Sequence, residues 1–237
     1  MNKIAIFLLI FPLVCYCQVI VVGNLAVVAN PHSHISLPHP RTLKVDIPNL
    51  WCGAQKLQEH VDVEYGEFTK LENGKVSVGV ENQGKIYLEI GQNVSVNVVG
   101  RYRCEVRTLD KEIHSGNLII YLPPVLNFPS FSNAKELPNA KPPHVIGAER
   151  KGFQNEKITL ECPVLSNPEP LVRWEKDGEA IAPSNSTQFD GNNLILEPLN
   201  LEHSGKYRCI AENSFPLFVD GPSMPHLLQY DQTVKVL

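Results

Sequence analysis

The sequence lacks the features that mark most enzymes and most nucleic-acid-binding proteins. Charged residues make up only 19% of its 237 positions, and the formal net charge is −4. Because no basic stripe is present, we expect no binding to nucleic acid or to anionic membranes. No Gly-x-Ser-x-Gly elbow, His-Glu-x-x-His motif or glycine-rich phosphate loop occurs. We therefore expect no catalytic residues, no metal site and no cofactor, and we do not expect an enzyme.

Long apolar runs are also scarce, and the one at the amino terminus has the form of a leader. Residues 4–14 are apolar, and Cys15-Tyr16-Cys17 precedes an expected cleavage before Gln18. This apolar core is too short to span a bilayer. The alternative is a signal anchor that continues to Val22. Residues 231–237 form neither a second apolar span nor a glycolipid-anchor tail. The sequence thus predicts a signal peptide at 1–17 and a secreted, extracellular protein that is not membrane-anchored.

Helical periodicity of useful length is absent, but one cysteine pattern occurs twice. Cys52 is followed after about fifty residues by Tyr102-Arg103-Cys104, and Cys162 is followed by Tyr207-Arg208-Cys209. A tyrosine two residues before the second cysteine is the tyrosine corner of an immunoglobulin (Ig) sandwich. Trp174 lies where such domains place a core tryptophan on strand C. The pattern predicts an all-β chain with two tandem immunoglobulin-like β-sandwiches.

The predicted organisation has a proline-rich linker between the two sandwiches. A divergent Ig-like domain covers residues 18–122, the linker covers 123–143, and a second domain of the C2 or I-set type covers 144–237. The prolines of the linker favour an extended, semi-rigid spacer. Leu126, Phe128 and Phe131 are apolar, however, which favours packing of part of this stretch against a domain. The relative orientation of the domains stays open.

The cysteine count agrees with this organisation. Six cysteines minus the two in the leader leave four, which allow three connectivities in an oxidising compartment. We expect the pairs Cys52–Cys104 and Cys162–Cys209 because each pair fits its own sandwich. In the chain-entropy model each bridge contributes about 4 kcal/mol of stability. Three aromatic motif residues are expected in the cores: Trp174, Tyr102 and Tyr207.

Two alternating phases meet near the start of the first domain. Leu43, Val45 and Ile47 alternate in one phase, whereas Leu50 and Cys52 alternate in the other. A single strand cannot hold both phases, so we predict a bulge or break at Pro48-Asn49. Trp51, next to an inward cysteine, is then expected to face outward.

Candidate surface sites lie mostly on the first domain. Asn93-Val94-Ser95 and Asn185-Ser186-Thr187 are N-glycosylation sequons, one in each domain. We predict a partner-binding surface at Trp51, since exposed aromatic residues often anchor interfaces. The surface extends to the neighbourhood of Asp62, Glu64 and Tyr65. The first domain has no tryptophan on strand C, and we expect Tyr65, in preference to Val63, to occupy that position. The alternative for Trp51 is packing against the linker or the second domain.

The histidines allow two readings each. His32, His34 and His39 form a local cluster, for which a solvated amino-terminal segment is favoured over a metal site. His203 stands where Ig domains usually carry an aspartate that pairs with an arginine. The favoured interpretation of His203 is a tolerated surface residue. The sharper hypothesis is a pH-responsive contact near the domain base, since histidine titrates in the physiological range.

Cys162, Trp174 and the run 207–213 make the second domain resemble the I-set Ig modules of neural adhesion proteins. A leader followed by two Ig domains is similar to the layout of the nematode zwei-Ig proteins. It is also similar to the insect secreted two-Ig protein that binds insulin-like peptides. Similarity to the insect protein includes Arg107-Thr108, Pro123-Pro124 and the run 138–142, within about residues 100–213.

The resemblance implies two functions. The first is that of a secreted neuronal Ig protein that holds axons and cell bodies in position by binding a cell-surface or matrix protein. The alternative is a soluble protein that sequesters insulin-like peptides. A third possibility, from another class, is an immune recognition protein. The Ig fold itself names no ligand, because it supports many of them.

Overall fold

The computed structural model describes residues 18–23, 26–36, 44–90, 92–127, 134–216 and 221–237. The predicted signal peptide (1–17) and four other residues discussed above, His39, Leu43, Phe128 and Phe131, lie outside these ranges. Within the described residues the regular elements are β-strands and two 3₁₀ turns, Val96–Val98 and Leu201–His203. The predicted all-β class is confirmed.

The first half of the chain contains the strands β1 (Ile20–Gly23), β2 (Ala26–Val28), β3 (Asn30–Pro31), β4 (Ile35–Ser36), β5 (Lys44–Asp46), β6 (Leu50–Lys56), β7 (Glu59–Val61), β8 (Val63–Lys70), β9 (Lys75–Val78), β10 (Val80–Asn82), β11 (Lys85–Leu88), β12 (Val94–Ser95), β13 (Gly100–Thr108) and β14 (Ile113–Asn127). The second half contains β15 (Lys135–Glu136), β16 (His144–Gly152), β17 (Ile158–Leu160), β18 (Val164–Asn167), β19 (Leu171–Lys176), β20 (Glu179–Ala180), β21 (Thr187–Asp190), β22 (Asn193–Leu196), β23 (Gly205–Pro216) and β24 (Ser223–Val236).

The first domain is a sandwich of two sheets. One sheet has the order β1-β6-β11-β10, with β7 also paired to β6. The other contains β14-β13-β8-β9, with β2 added in parallel to β14. Cys52 on β6 and Cys104 on β13 form a disulfide that joins the two sheets. Both cysteines are fully buried, because alternate residues of each strand point into the space between the sheets.

The predicted break before Cys52 is confirmed. Strand β5 ends at Asp46 and β6 begins at Leu50, with residues 47–49 outside any strand. Strand β5 belongs to a separate small sheet with β3 and β12. The interruption therefore lets Ile47 and Leu50 both be buried, although their sequence phases differ.

The second domain repeats the sandwich plan. Its larger sheet has the order β15-β16-β24-β23-β19-β20, and the smaller one has β17-β22-β21. Cys162 and Cys209 form the second predicted disulfide. Trp174 is buried, and its Nε1–H donates to the carbonyl of Asn192 (3.0 Å). A core tryptophan with a satisfied donor is the arrangement that buried indole rings require.

Both tyrosine corners are present. The Tyr102 hydroxyl donates to the Val98 carbonyl (2.6 Å), and the Tyr207 hydroxyl donates to the His203 carbonyl (2.9 Å). Each bond spans four residues and fixes the 3₁₀ turn that precedes the strand carrying the second cysteine. Burial raises the pKa of both phenols to about 12, so both remain donors at neutral pH.

Within its described residues, part of the predicted linker packs against the second domain, as the apolar side chain of Leu126 favoured, and that part is not a free spacer. Strand β14 runs through Pro123 and Pro124 to Asn127, and it pairs with β18 of the second domain and with β4. Leu126 is fully buried in the core of the second domain. Strand β15, later in the same segment, pairs with β16. The predicted domain boundaries themselves stay predictions.

Side chains reinforce the contact between strand β14 and the second domain, which we call the junction. Asn213 is buried (4% exposed), and its Nδ2 donates to the carbonyls of Leu122 (2.9 Å) and Pro168 (3.0 Å). The ring of Phe215 stacks on Tyr121 with centroids 4.7 Å apart. These contacts join the β23–β24 hairpin of the second domain to strand β14. The domains are therefore held by hydrogen bonds and ring packing as well as by the chain connection.

His34 belongs to the junction, which corrects the expectation of a solvated segment at this histidine, whereas the side chain of His32 stays 46% exposed beside Asp46. His34 Nδ1 lies 2.7 Å from Glu136 Oε1, and the His34 backbone N–H donates to Glu136 Oε2 (3.0 Å). Burial alone would raise the pKa of Glu136, but the hydrogen bonds from His34 and Ser33 outweigh it and leave that pKa below its usual value. Ile35 packs against the core of the second domain. Among the described residues, no group of three His, Cys, Asp or Glu side chains is arranged to hold a metal.

Asn213→Ala tests the junction. The substitution removes the hydrogen bonds to the Leu122 and Pro168 carbonyls, although the Pro168 carbonyl keeps the Ser166 hydroxyl as a donor (2.6 Å). Because the bond to Leu122 is buried, we expect the free energy of unfolding to fall by about 1–3 kcal/mol. Urea denaturation of the whole chain measures it. Asn82→Ala, at an exposed position of β10, is the matched control. Equal stability of the two variants would contradict the assigned role of Asn213.

Candidate protein-binding surface

The structure does not bring the predicted interface residues together. Trp51 lies on β6 and Tyr65 lies on β8, and these strands belong to the two opposed sheets of the first domain. The two residues face away from the core on opposite sides of the sandwich, so they cannot contact the same partner surface. Asp62 and Glu64 lie next to Tyr65, and only these three residues share one region.

Trp51 faces outward between the buried residues Leu50 and Cys52. It is only partly exposed, because the Lys85 ammonium lies 4.3 Å from the centre of its ring. Tyr87 is its cross-strand neighbour on β11. A cation over an indole ring is attracted by the ring's negative face. Trp51 is thus held within its own sheet by these neighbours.

Asp62 and Glu64 lie at one end of the first domain, which we call the distal tip (residues 57–64 and 108–112). The tip comprises the β6–β7 turn, the β7–β8 connection and the β13–β14 turn. The Leu109 backbone N–H donates to the Asp62 carbonyl (3.3 Å), which joins the connection to the turn. Lys111 Nζ, on the same turn, lies 2.5 Å from Glu64 Oε2 at the start of β8. The distal tip lies at the start of β14, whereas the second domain contacts the end of that strand.

The β13–β14 turn is held in one shape by Thr108. Its buried hydroxyl bonds to the Asp110 carboxylate and to the Glu112 carbonyl (3.1 Å), and its backbone N–H donates to the same carbonyl (3.0 Å). The hydrogen bond from Thr108 holds the pKa of Asp110 below its usual value. A turn that is already ordered loses little conformational entropy when it binds a partner.

The β6–β7 turn has an unusual sequence for its backbone. Leu57 (φ 52°) and Gln58 (φ 68°) are both in the left-handed region, which hairpins normally fill with Asn-Gly or Asp-Gly. Leucine in this region is strained by roughly 1 kcal/mol. Its side chain is 69% exposed and gains little from folding. Leucine at position 57 therefore does not serve the stability of the fold. Strain of this kind often marks a functional position.

The chemistry of the distal tip is acidic with an apolar part. Leu109 is 60% exposed and, together with Leu57, supplies apolar surface. Lys111 supplies a positive charge at the tip. The acidic side chains of the two segments are Glu59, Asp62, Glu64, Asp110 and Glu112. An acidic rim around exposed leucines is complementary to a basic protein surface with apolar residues at its centre.

Tyr65 borders the tip on the outer face of β8, which corrects its expected place in the core; Val63, the alternative, is the buried residue (5% exposed). Its hydroxyl donates to Glu67 Oε2 (3.2 Å), and the Arg107 guanidinium lies 5.5 Å from its ring centre. Partial burial and the Glu67 carboxylate raise the pKa of Tyr65. The neighbouring cavity is about 100 Å³. Ligand pockets usually measure about 300–1,000 Å³, so this surface suits a protein contact better than a small molecule.

The two sequons lie away from the distal tip. Asn93 lies between β11 and β12, where its backbone N–H donates to Asp46 Oδ1 (2.8 Å). Asn185 is exposed in the connection between β20 and β21 of the second domain. Glycans at these positions would leave the tip accessible. Their modification stays a prediction.

His203 is not a surface residue, which corrects the favoured sequence interpretation. It is 9% exposed, its Nδ1 accepts a hydrogen bond from the Asn200 backbone N–H (3.0 Å), and its Nε2 lies 3.2 Å from Ser186 Oγ. Burial, followed by the nearby Lys176 charge, lowers the pKa of His203. The arginine that follows it in sequence, Arg208, instead pairs with buried Asp231 (2.7 Å).

His203→Gln tests the pH-responsive contact. Because the folded-state pKa lies below 6.5, the unfolded chain binds a proton first as pH falls. The contribution of His203 is therefore complete above about pH 6.5 and is lost below it. Thermal melts between pH 5 and 8 should show a steeper loss for wild type than for the variant. Burial also lowers the pKa of His226, which is present in both proteins. The effect of His203 is therefore the difference between the melting temperatures of wild type and variant at each pH. His60→Gln, at an exposed site, is the control; parallel wild-type and His203→Gln curves would refute the contact.

Comparison with known proteins places both halves of the chain in one class. The family described as "Zwei immunoglobulin domain protein, N-terminal" matches residues 17–121, and an immunoglobulin domain family matches residues 142–213. The protein is thus a tandem Ig-domain protein. The described residues include no helix that is long and apolar enough to cross a membrane.

The relatives are more specific than the fold. The chain is 64% identical over 220 residues to Zwei Ig domain protein zig-7 of Caenorhabditis elegans, covering 93% of this chain and 91% of the relative. It is 29% identical to zig-1 of the same organism, covering 79% and 68%. The chain belongs to the zwei Ig domain protein family. Among solved structures, the titin Ig tandem A164-A165 matches with a TM-score of 0.44 and 13% identity, covering 92% of this chain and 97% of the titin chain.

Proposed function

We propose that this chain is a secreted binding protein that uses the distal tip of its first domain to hold a cell-surface or matrix protein. In this proposal it acts in the nervous system and helps to keep axons and cell bodies in position. The observation that carries the proposal is the ordered tip, which exposes leucines within an acidic rim. Membership of the zwei Ig family supports a binding role, since Ig domains commonly bind proteins.

The position of the tip supports this function. It lies at the amino-terminal end of β14, and the carboxyl-terminal end of that strand pairs with β18 of the second domain. The second domain and the junction therefore leave the tip uncovered. A protein that links cells or matrix needs such a separation between its binding surface and the rest of the molecule.

The charge of the tip defines the expected partner chemistry. Asp62 and Glu112 have mainly exposed carboxylates, whereas Glu64 is largely covered by its ion pair with Lys111. Exposed acidic groups steer a basic partner and make the association rate depend on salt. The leucines would then supply the desolvated centre of the contact.

Replacing Leu57-Gln58 by Asn-Gly separates binding from stability. Asn-Gly suits the left-handed turn, so we expect the free energy of unfolding to rise by about 1 kcal/mol. Loss of the leucine should nevertheless weaken binding of the labelled protein to cultured neurons and their matrix about tenfold. Leu171→Ala, at an exposed leucine of the second domain, is the control. Unchanged binding by a more stable variant would refute the role of the tip.

Charge reversal provides a second test. Asp62→Lys combined with Glu112→Lys should reduce binding to the same surfaces about tenfold and reverse its salt dependence. Titration with an insulin-like peptide is performed in parallel. Micromolar or tighter binding of the peptide, without binding to neurons or matrix, would overturn this proposal in favour of hormone sequestration.

Secretion and glycosylation have a direct test. Expressed from its full sequence in animal cells, the protein should accumulate in the medium. Enzymatic removal of N-glycans should reduce its mass, and Asn93→Gln and Asn185→Gln should each remove one glycan. Retention in the membrane fraction, or a mass unaffected by the enzyme, would contradict these expectations.

A further inference from the structure

The outer face of the larger sheet in the first domain carries an ordered arrangement of charges. We call it the β9–β8–β13–β14 face. Cross-strand pairing places Val76, Thr69, Arg103 and Asn117 in one row across the four strands. The next row toward the distal tip consists of Val78, Glu67, Glu105 and Ser115. Each row crosses the sheet at right angles to the strands.

Apolar side chains at the β9 edge of this face are strongly exposed. Val76 is 51% exposed and Val78 is 64% exposed, although valine on a strand normally packs against a neighbour. Strand β9 is the last strand of its sheet in the described part of the chain. An edge strand with exposed valines and adjacent charges is a surface that a partner can cover.

The two rows are complementary to each other. Arg103 Nη2 lies 3.2 Å from Glu105 Oε1 along β13, and both side chains remain partly exposed. One row therefore presents a cation at the position where the next row presents an anion. A twofold axis that lies between the rows, parallel to them, would place the first row of one copy against the second row of another.

We propose that this face docks a second copy of the chain. In the twofold arrangement, Arg103 faces Glu105 of the second copy and Val76 faces Val78 of the second copy. The same contacts form twice, because a twofold interface uses the same patch on both subunits. The strands of the two copies run antiparallel across the contact.

The two rows described above form the centre of the contact. The rows on either side of them also suit the twofold arrangement. Ile113, which is exposed, faces Ile119 of the second copy, and both are apolar. Arg107 faces Arg101 of the second copy, which would be repulsive alone. Glu72 lies 3.5 Å from Arg101 and receives a hydrogen bond from its backbone N–H (2.8 Å), so a counter-charge is present. Positive and negative side chains thus alternate along the strands of this face. This alternation favours a second copy of the same face over a partner surface that carries charges of one sign.

The size of the face sets the expected affinity. Four strands about 4.8 Å apart and four rows about 7 Å apart cover about 500 Å² per copy. The total of about 1,000 Å² is at the low end for specific complexes, so we expect a weak dimer with a micromolar dissociation constant. Neither sequon residue lies on these four strands, and the distal tip stays outside the central contact. Self-association would give the molecule two tips, which raises avidity for a surface that carries several partner molecules.

Charge exchange tests the docking. Sedimentation of the purified chain, from about 1 to 200 µM, should show a monomer–dimer equilibrium. Arg103→Glu and Glu105→Arg should each weaken the dimer at least about tenfold, because like charges then meet twice. The double variant, Arg103→Glu with Glu105→Arg, should restore dimerisation. Arg173→Glu, which removes a similar surface pair with Glu212 in the second domain, is the control.

Several results would overturn the proposal. A monomer at every concentration removes it, as does a dimer that none of the face variants weakens. Weakening by both single variants without rescue in the double variant would exclude the proposed register. The outcome is separable from the proposed function: a monomer that still binds neurons contradicts only the self-association, whereas a dimer that binds neither neurons nor matrix contradicts only the tip.

Discussion

The structure depends on the backbone hydrogen bonds of strand β14. Its first part pairs with β13 in the first domain, and its last part pairs with β18 and β4 at the second domain. One strand thus satisfies donors and acceptors of the first sandwich and of β18, a segment of the second domain. Separating the domains would expose those groups together with the buried side chain of Leu126. The junction is therefore a packed part of the fold, and Asn213 and Phe215 add to a contact that the backbone has already defined.

The position of each proposed surface follows from the same strand. The turn that begins β14 forms part of the distal tip, and the outward residues of its first half form one side of the β9–β8–β13–β14 face. Its last residues are covered by the second domain. The strand consequently separates the exposed surfaces from the junction. A binding protein with this construction can present the first domain while the second domain remains attached along a continuous sheet edge.

Some features of the fold were predictable because they depend on short stretches of sequence. The break at Pro48-Asn49 follows from two phases of alternation that a single strand cannot hold. The tyrosine corners follow from a tyrosine two residues before a cysteine. Proline content favours a spacer because it describes an isolated chain, whereas the structure buries Leu126 in the core of the second domain, next to the strand pairing with β18. The bond between His34 and Glu136 joins residues 102 positions apart, and no local pattern indicates it.

The sequence by itself determined the all-β class, the two sandwiches, their disulfides and their core aromatic residues, because period, spacing and the chemistry of cysteine act within each domain. Only the tertiary structure decided that Trp51 and Tyr65 lie on opposite sheets, that His203 is buried and that Asp62 joins the β13–β14 turn. These features depend on which strands pair and which loops meet. Such pairings are set by the packing of the whole domain, since the alternation of side chains along a strand defines its two faces without naming its neighbours.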